Sequence, residues 1–264
     1  MWPSRDGYDA VVFSESQQWY DLVYDAQGKD YLEEAERLRL ILMGHGISAP
    51  ILGRRPRWLD VACGTGRHLV HLPECERVGV DLDPAMLDVA RRRCPTVEFE
   101  VLDMKSLSPW DATDIPSLAV DARFEVVTCL FSAIAYMEDL EELGIAIRGM
   151  ASRLSPGGLL LVEPFLTPDM VVEGHLSMNV IDRDDLKLVR MDVPRVEGRR
   201  LDLEFHYLAA TPAGVDHRIE PHRITLFTCD EIGNAFRAAG LTWEYDSDGL
   251  SGRGLHLGTK SSQG

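Results

Sequence analysis

Strand-like and helix-like segments alternate between residues 58 and 165, the strands among them are apolar along their whole length, and after Pro168 the pattern changes to alternating runs joined by short turns. The first two observations predict an α/β fold whose parallel sheet is covered by helices on both sides. The third predicts a small antiparallel β layer, at about 170–228, inserted into that fold. A length of 264 residues fits one large domain with an insert. The chain is read as a single domain, 1–264, with an N-terminal lid over 1–45.

Each element has its own signal. Residues 1–30 are polar and aromatic, with Trp19, Tyr20, Tyr24 and Tyr31 close together. YLEEAERLRLILMG (31–44) is apolar at helical spacing, and Gly44 and Gly46 stop it. After the stretch APILGRRPR, the short strand WLDVA (58–62) runs straight into CGTGRHLVHL, read as a glycine turn opening a helix. RVGVDLD (77–83) is a strand. PAMLDVARRRC (84–94) is a helix with Pro84 at its first position and arginines in its last turn, both favoured there. TVEFEVLDM (96–104) alternates as a strand, and residues 105–122 form a long polar surface connection. FEVVTCLFS (124–132) is a β-branched run buried on both faces. EDLEELGIAIRGMASRLSPGG (138–158) is an amphipathic helix ending in a Pro-Gly-Gly turn, and LLLVEPF (159–165) is another buried strand. LKLVRMDV, RRLDLEFHYLAA and HRITLFT form the inserted layer, with turns at VEGRR and TPAG. CDEIGNAFRAAG (229–240) is a helix capped by Gly240, and LTWEYDSDG and GLHLGTK close the chain as a strand pair.

Composition narrows the function. Lys and Arg number 27 against 43 Asp and Glu, a net charge of −16. Such a surface repels a phosphate backbone, so neither nucleic acid nor an anionic membrane is an expected partner. An anionic small molecule can still be held by a local Arg or His. The five cysteines (Cys63, Cys75, Cys94, Cys129 and Cys229) are odd in number and form no CxxC, which points to buried thiols in a reducing compartment. The N-terminal MWPSRDGYDAVVFSES has no apolar h-region. No run approaches the roughly 18 apolar residues of a membrane span. The expectation is a cytoplasmic protein.

The chemistry begins at Asp60-Val-Ala-Cys-Gly64-Thr-Gly66. Two close glycines after a strand let a ligand touch the backbone. Asp81 ends the next strand, where a carboxylate can accept from two vicinal ribose hydroxyls. Asp103 ends the third, where it can accept from an adenine amino group. Together they outline an adenosine site across three neighbouring strand ends. The dinucleotide fingerprint requires a third glycine, and Leu69 stands in its place.

Asp60, CGTG and VGVDLD resemble instead motif I and the acidic loop of the class I S-adenosylmethionine-dependent methyltransferases, a resemblance running over about 58–165. It implies a Rossmann-like seven-stranded sheet and S-adenosyl-L-methionine as cofactor. It also implies a cofactor set. The glycine turn, with Ala62, Gly64, Thr65 and Gly66, lies against the methionine part, and Asp60 lies near the amino acid end. Asp81 falls on the ribose, Leu82 and Met86 against the adenine, Asp103 with Met104 at the exocyclic edge, and Leu130 beside them. Tyr31 is assigned to the methionine carboxylate or, equally, to packing of its own helix.

The flanking segments YDLVYDAQGKDY (20–31), EPF (163–165), HRITLF (222–227) and SGRGLHLG (251–258) resemble one subgroup. These are the nucleotide-activated amino-sugar N-methyltransferases of macrolide and related antibiotic pathways, which dimethylate the amine of a dTDP-linked deoxyhexose. The chain departs from that pattern at 105–122 and around Ala133–Tyr136. The implied acceptor set is Tyr24, Tyr136, Glu163 and His222 at the amine, with Phe165, Ser251 and Arg253 on the substrate. Arg253, flanked by glycines that let the chain approach a phosphate, can pair bidentately with a diphosphate. Strand alternation allows only one of His222 and Arg223 to face the site, and His222 is favoured. Glu163 is read as a partner for an ammonium or as a salt bridge to a neighbouring helix. Methyl transfer from a sulfonium needs alignment and exclusion of water more than a strong base. His68 and His71 read as a solvated helix face rather than a metal set, and Arg91–Arg93 as a helix end favoured by the dipole. Rival readings are another small amine or a natural-product hydroxyl as acceptor, or a non-catalytic cofactor-binding subunit. A homodimer through the inserted layer is a further expectation.

Overall fold

A computed structural model describes residues 16–108, 118, 119 and 121–262. The first part of the expected lid, 1–15, and the middle of the long polar connection, 109–117 and 120, lie outside the described residues.

Three helices come first: α1 (Gln17–Ala26), α2 (Tyr31–Gly44) and the single turn α3 (Ala49–Leu52). The parallel unit follows as β1 (Arg57–Val61), β2 (Glu76–Asp81), α4 (Pro84–Arg93), β3 (Glu98–Val101), β4 (Phe124–Cys129), α5 (Leu140–Ser152) and β5 (Leu154–Val162). Short acids start its helices by accepting from the first free backbone N–H groups. Asp30 accepts from Leu32 and Glu33, Asp83 from Ala85, and Asp139 from Glu141 and Glu142. The chain ends with α6 (Cys229–Ala238), β11 (Leu241–Asp246) and β12 (Leu255–Lys260). Thr228 and Glu231 form a capping box at α6.

Seven strands make one sheet in the order β11-β12-β5-β4-β1-β2-β3. β1 to β5 pair in parallel, and β12 lies antiparallel against both β5 and β11. Every residue of β4 is buried, as its β-branched run requires. One core lies on each side of the sheet: Phe124, Val127, Leu160 and Phe236 pack on one face, and Trp58, Leu87, Val126 and Leu161 on the other.

The insert is β6 (Ser177–Asp182), β7 (Lys187–Asp192), β8 (Arg195–Glu197), β9 (Arg200–Thr211) and β10 (Gly214–Thr225). They form a separate antiparallel sheet in the order β10-β9-β7-β6, with β8 paired to β9. Alternation along β9 turns Leu201, Leu203, Phe205, Tyr207 and Ala209 inward, onto Trp19 and Val23 of α1 and onto Ala135 beyond β4. The insert is thereby carried over the end of β4 where a ligand site is expected.

Two local expectations are corrected. CGTGRHLVHL does not open an α-helix: only the 3-10 turn Leu69–His71 forms. Pro73 follows at once and β2 begins at Glu76, so the connection is too short for a helix. The Pro-Gly-Gly after α5 is no turn either, since Pro156–Gly158 lie inside β5, where the β4–β5 register shifts. Gly158 is needed there, because a Cβ would come within 2.9 Å of the Ser155 carbonyl oxygen.

Candidate active site

The turn after β1 is built from backbone conformations that side chains resist. Ala62, Gly64 and Gly66 all have positive φ, at 56°, 54° and 73°. Gly66 also sits against α4, where a Cβ would lie 3.3 Å from that of Ala90. Behind the turn, a Cβ on Gly79 would meet the Phe99 ring at 2.7 Å and Cys63 Sγ at 2.8 Å. Asp81 holds the turn from the end of β2. One carboxylate oxygen accepts the Gly64 N–H at 2.7 Å and the other accepts the Asp83 N–H at 2.9 Å.

Tyr31, Asp60, Ala62, Gly64, Thr65 and Leu130 line one cavity, completed by Tyr20, Cys63, Arg67, His68 and Phe131. The open side of the turn fits a close-lying ligand: a Cβ on Gly64 would occupy that space and meet only Met86 Cε, at 3.8 Å. The remaining expected cofactor residues lie beside this cavity, not in its wall. Met86 is buried under the turn and Leu82 is exposed at the strand end. Asp103 caps the 3-10 turn Met104–Ser106, accepting the Lys105 N–H at 2.8 Å, and Met104 packs onto the core.

Asp60 is buried, and burial pushes its carboxyl up to about 6, against the lowering pull of His68 and of a hydrogen bond from Thr128. Trp58 Nε1 donates to Thr128 Oγ1 at 2.8 Å, and Thr128 donates on to Asp60 at 2.7 Å. An acid raised on folding binds a proton more tightly in the native state, so its contribution to stability falls as pH rises from about 4 to about 6. Asp60→Asn should therefore stabilise the free protein at pH 7.5, by about 1–3 kcal/mol, while weakening its hold on a cationic ligand. Denaturation of both proteins at pH 5 and 7.5 checks this; equal stability at both values would contradict it.

His68 is no solvated residue. It is buried, with Nε2 2.7 Å from Glu34 of α2, and Lys29 bonds the other Glu34 oxygen at 2.6 Å. Tyr31 lies edge-on to His68 and under the Arg67 guanidinium, so it both packs its helix and lines the cavity. Arg93 does more than end α4. It donates to the Thr65 carbonyl and to Asp21, and Thr65 Oγ1 donates to Asp21 at 2.8 Å. Through Asp21, α1 is tied directly to the glycine turn.

The second half of the site lies at the ends of β4 and β5. Phe131 and Ser132 have φ of 54° and 64°, a strained pair with no glycine to announce it. Glu163 braces that turn. It is fully buried, accepting the Phe131 N–H at 2.6 Å and the Ser251 hydroxyl at 2.5 Å. It is thus neither a helix salt bridge nor an open carboxylate facing an ammonium. Ser251, with its hydroxyl turned to Glu163, is drawn into the same brace. Arg253 Nη1 reaches Ser132 Oγ at 3.3 Å, with its guanidinium over the Phe131 ring. The glycines around Arg253 serve the loop itself. A Cβ on Gly254 would strike the Tyr245 ring, whereas Gly252 has open space around it.

Above this turn sit the acceptor candidates. Tyr24 lies edge-on to Phe131, 4.6 Å between ring centroids, with Arg190 of β7 3.4 Å from its hydroxyl. The Tyr136 hydroxyl lies 2.7 Å from His222 Nδ1, and His222 Nε2 lies 2.8 Å from Glu220. His222 points inward, the favoured one of the pair, and Arg223 turns to Asp202 on the other face, as alternation requires. Phe165 packs against the inner face of the insert. Glu220, Arg190 and Phe131 escaped the sequence reading: nothing local distinguishes an acid or an arginine in an alternating strand until the insert folds onto α1.

Residues 59–158 match a family model described as a methyltransferase domain. The chain is 36% identical, over 98% of its length and 96% of the other's, to the dTDP-3-amino-3,6-dideoxy-alpha-D-glucopyranose N,N-dimethyltransferase of Streptomyces fradiae. It belongs to the family of S-adenosylmethionine-dependent dTDP-amino-sugar N,N-dimethyltransferases. The crystal structure of DesVI from Streptomyces venezuelae superposes with a TM-score of 0.80 at 36% identity, covering 92% of this chain and 98% of that one. A structure with bound S-adenosylmethionine, an amino pentose methyltransferase from Micromonospora echinaspora, gives 0.77 at 30% identity, covering 92% and 96%. The chain is therefore a methyltransferase of the class I fold, and its cofactor is S-adenosyl-L-methionine.

Proposed function

We propose that this methyltransferase acts on the amine of a dTDP-linked amino deoxysugar, N,N-dimethylating it, in natural-product biosynthesis. The observation that carries the reading is that similarity to enzymes named for such substrates extends through the lid and the inserted layer, where the acceptor candidates meet, and does not stop at the cofactor half.

The cofactor supplies an activated methyl on a sulfonium whose departure leaves a neutral thioether. The chain's part is to bind, align and exclude water. Asp60 would face the cofactor's ammonium, and Tyr31 its carboxylate. Asp81 has lone pairs left for the ribose hydroxyls, with Leu82, Met86, Asp103 and Met104 along the adenine. Phe131, Tyr24 and Tyr136 shape an aromatic chamber that holds the sugar nitrogen in line. Arg253 is the cation placed at the chamber rim for the diphosphate, and its loop would close on the sugar nucleotide.

Mass spectrometry of a dTDP-amino-deoxyhexose incubated with enzyme and cofactor should show one, then two, methyl increments. Binding of the cofactor with no increment on any of several such sugars would refute the assignment. Arg253→Ala should raise KM for the sugar nucleotide about tenfold or more, the weight of a charge-assisted hydrogen bond, and leave cofactor affinity unchanged. Equal loss of both affinities would make Arg253 structural.

The outer face of the inserted sheet exposes Met178, Val180, Met191, Leu208, Val215 and Ile219, and grouped exposed apolar side chains of this kind mark interaction surfaces. A second copy of the chain is the proposed cover, and a monomeric sedimentation mass at micromolar concentration would exclude it. Residence in the cytoplasm is likewise proposed, from five free thiols. Among the described residues no helix is long and apolar enough to cross a membrane. Recovery of the enzyme from the medium with its thiols oxidised would contradict that placement.

A further inference from the structure

We propose that Tyr136, His222 and Glu220 form a relay that takes the proton from the acceptor nitrogen between the two methylations; this rests on the amino-sugar reading above. The need is chemical. After the first transfer the nitrogen is a secondary ammonium without a lone pair, and the thioether left behind is no base. The proton must leave before a second methyl can be accepted.

The geometry supplies a path. His222 and Glu220 stand two residues apart on the inner face of β10, both buried, and Tyr136 stands half-buried in the 3-10 turn Ala133–Tyr136 beyond β4. A carboxylate only accepts, so Glu220 at 2.8 Å assigns the imidazole hydrogen to Nε2. The Nδ1 lone pair then accepts from the Tyr136 hydroxyl at 2.7 Å. Ser16 donates to the second Glu220 oxygen. Phe205, with its ring centroid 4.5 Å from that of His222, packs against the imidazole. The ordering nucleophile–imidazole–carboxylate logic is that of a hydrolase triad, here turned to accepting a proton.

In the step, an N–H bond of the ammonium breaks and its proton joins Tyr136 Oη. The phenol's own proton passes to His222 Nδ1. The imidazolium so formed is paired with the Glu220 carboxylate, and the amine keeps its lone pair. The charges facing His222 set its resting form. Glu220 beside it and Asp192 of β7 favour the cation, whereas burial and Arg190 of β7 oppose it, and the balance lowers its affinity for a proton. Tyr207 and Tyr136 add phenols around the path, both raised by burial, Tyr136 far above the ordinary phenol range. The imidazole therefore rests neutral, ready to accept.

The test compares wild type with Tyr136→Phe, Glu220→Gln and Glu220→Asp on a dTDP-amino sugar, following kcat from pH 6 to 9.5 and the ratio of mono- to dimethylated product. Tyr136→Phe keeps the ring and removes only the entry to the relay. It should lose kcat about 10- to 100-fold near pH 7, recover as the amine deprotonates in solution, and release monomethylated product. Glu220→Gln should shift both readouts the same way, and Glu220→Asp should restore them in part. A uniform loss at every pH, or a wild-type profile and product ratio in both Tyr136→Phe and Glu220→Gln, would overturn the relay. If the wild type methylates no such amine, the acceptor reading falls and the relay with it.

Discussion

Asp81→Ala should lower affinity for S-adenosylmethionine at least about 100-fold. Two backbone donors lose their partner at once: the Gly64 N–H at 2.7 Å and the Asp83 N–H at 2.9 Å. A hydrogen bond to a charged group contributes about 1.5–3 kcal/mol, and about 1.4 kcal/mol is a tenfold change in binding. The cofactor must then supply the order that Asp81 gave the turn, and the lost bonds to the ribose add to that cost. The two backbone bonds anchor a turn in which Ala62, Gly64 and Gly66 all have positive φ, a conformation that glycine adopts readily and alanine resists. Asp81→Asn separates the two roles. Its amide oxygen can keep one backbone bond while its NH₂ faces the other donor, so stability should fall less than in the alanine variant and affinity nearly as far. Titration calorimetry on both variants is the measurement. An affinity within threefold of wild type in Asp81→Ala would remove Asp81 from the site.

Asp81 was legible in the sequence because its signal is local: a carboxylate at the end of an apolar strand, following a glycine turn. The same holds for Asp60, Gly64 and Gly66, whereas alternation sets only that His222 and Arg223 face opposite ways. The rest of the site depends on meetings that no local pattern encodes. Arg93 reads as the last turn of a helix, yet it ties Asp21 of α1 to Thr65. Glu163 reads as a strand-end acid, yet it spends both oxygens on Phe131 and Ser251, distant in sequence on opposite sides. The strained Phe131 and Ser132 carry bulky or polar side chains where positive φ ordinarily asks for glycine, so sequence could not announce the bend. The helix expected after the glycine turn failed for the opposite reason. Its local pattern was plausible, but Pro73 and the start of β2 left it no room.

Arg153→Leu should cost the fold about 3–5 kcal/mol, and the reason lies in what the guanidinium touches. Arg153 follows α5 and is fully buried. Its described partners are all backbone carbonyls: Leu107 at 2.8 Å, Leu118 at 2.9 Å, Ala119 at 3.2 Å and Ser108 at 3.5 Å. These carbonyls belong to the two ends of the long 105–122 connection, so one side chain closes a loop that the sequence presents as a featureless polar excursion. Burial lowers the affinity of Arg153 for its proton, with Arg123 adding to the effect, but a guanidinium stays charged in proteins. Leucine fills the volume and leaves the carbonyls without a donor inside the core, a penalty of about 1–3 kcal/mol for each one that water cannot reach. At about 2–4 °C per kcal/mol for a chain of this size, Tm should drop by roughly 6–20 °C. Arg153→Lys keeps the charge but offers a single ammonium to widely spread acceptors, so it should fall between the two. Cofactor affinity of the folded fraction should change little, because none of these carbonyls lines the cavity. A Tm within 2 °C of wild type for the leucine variant would show that the connection is held by other means.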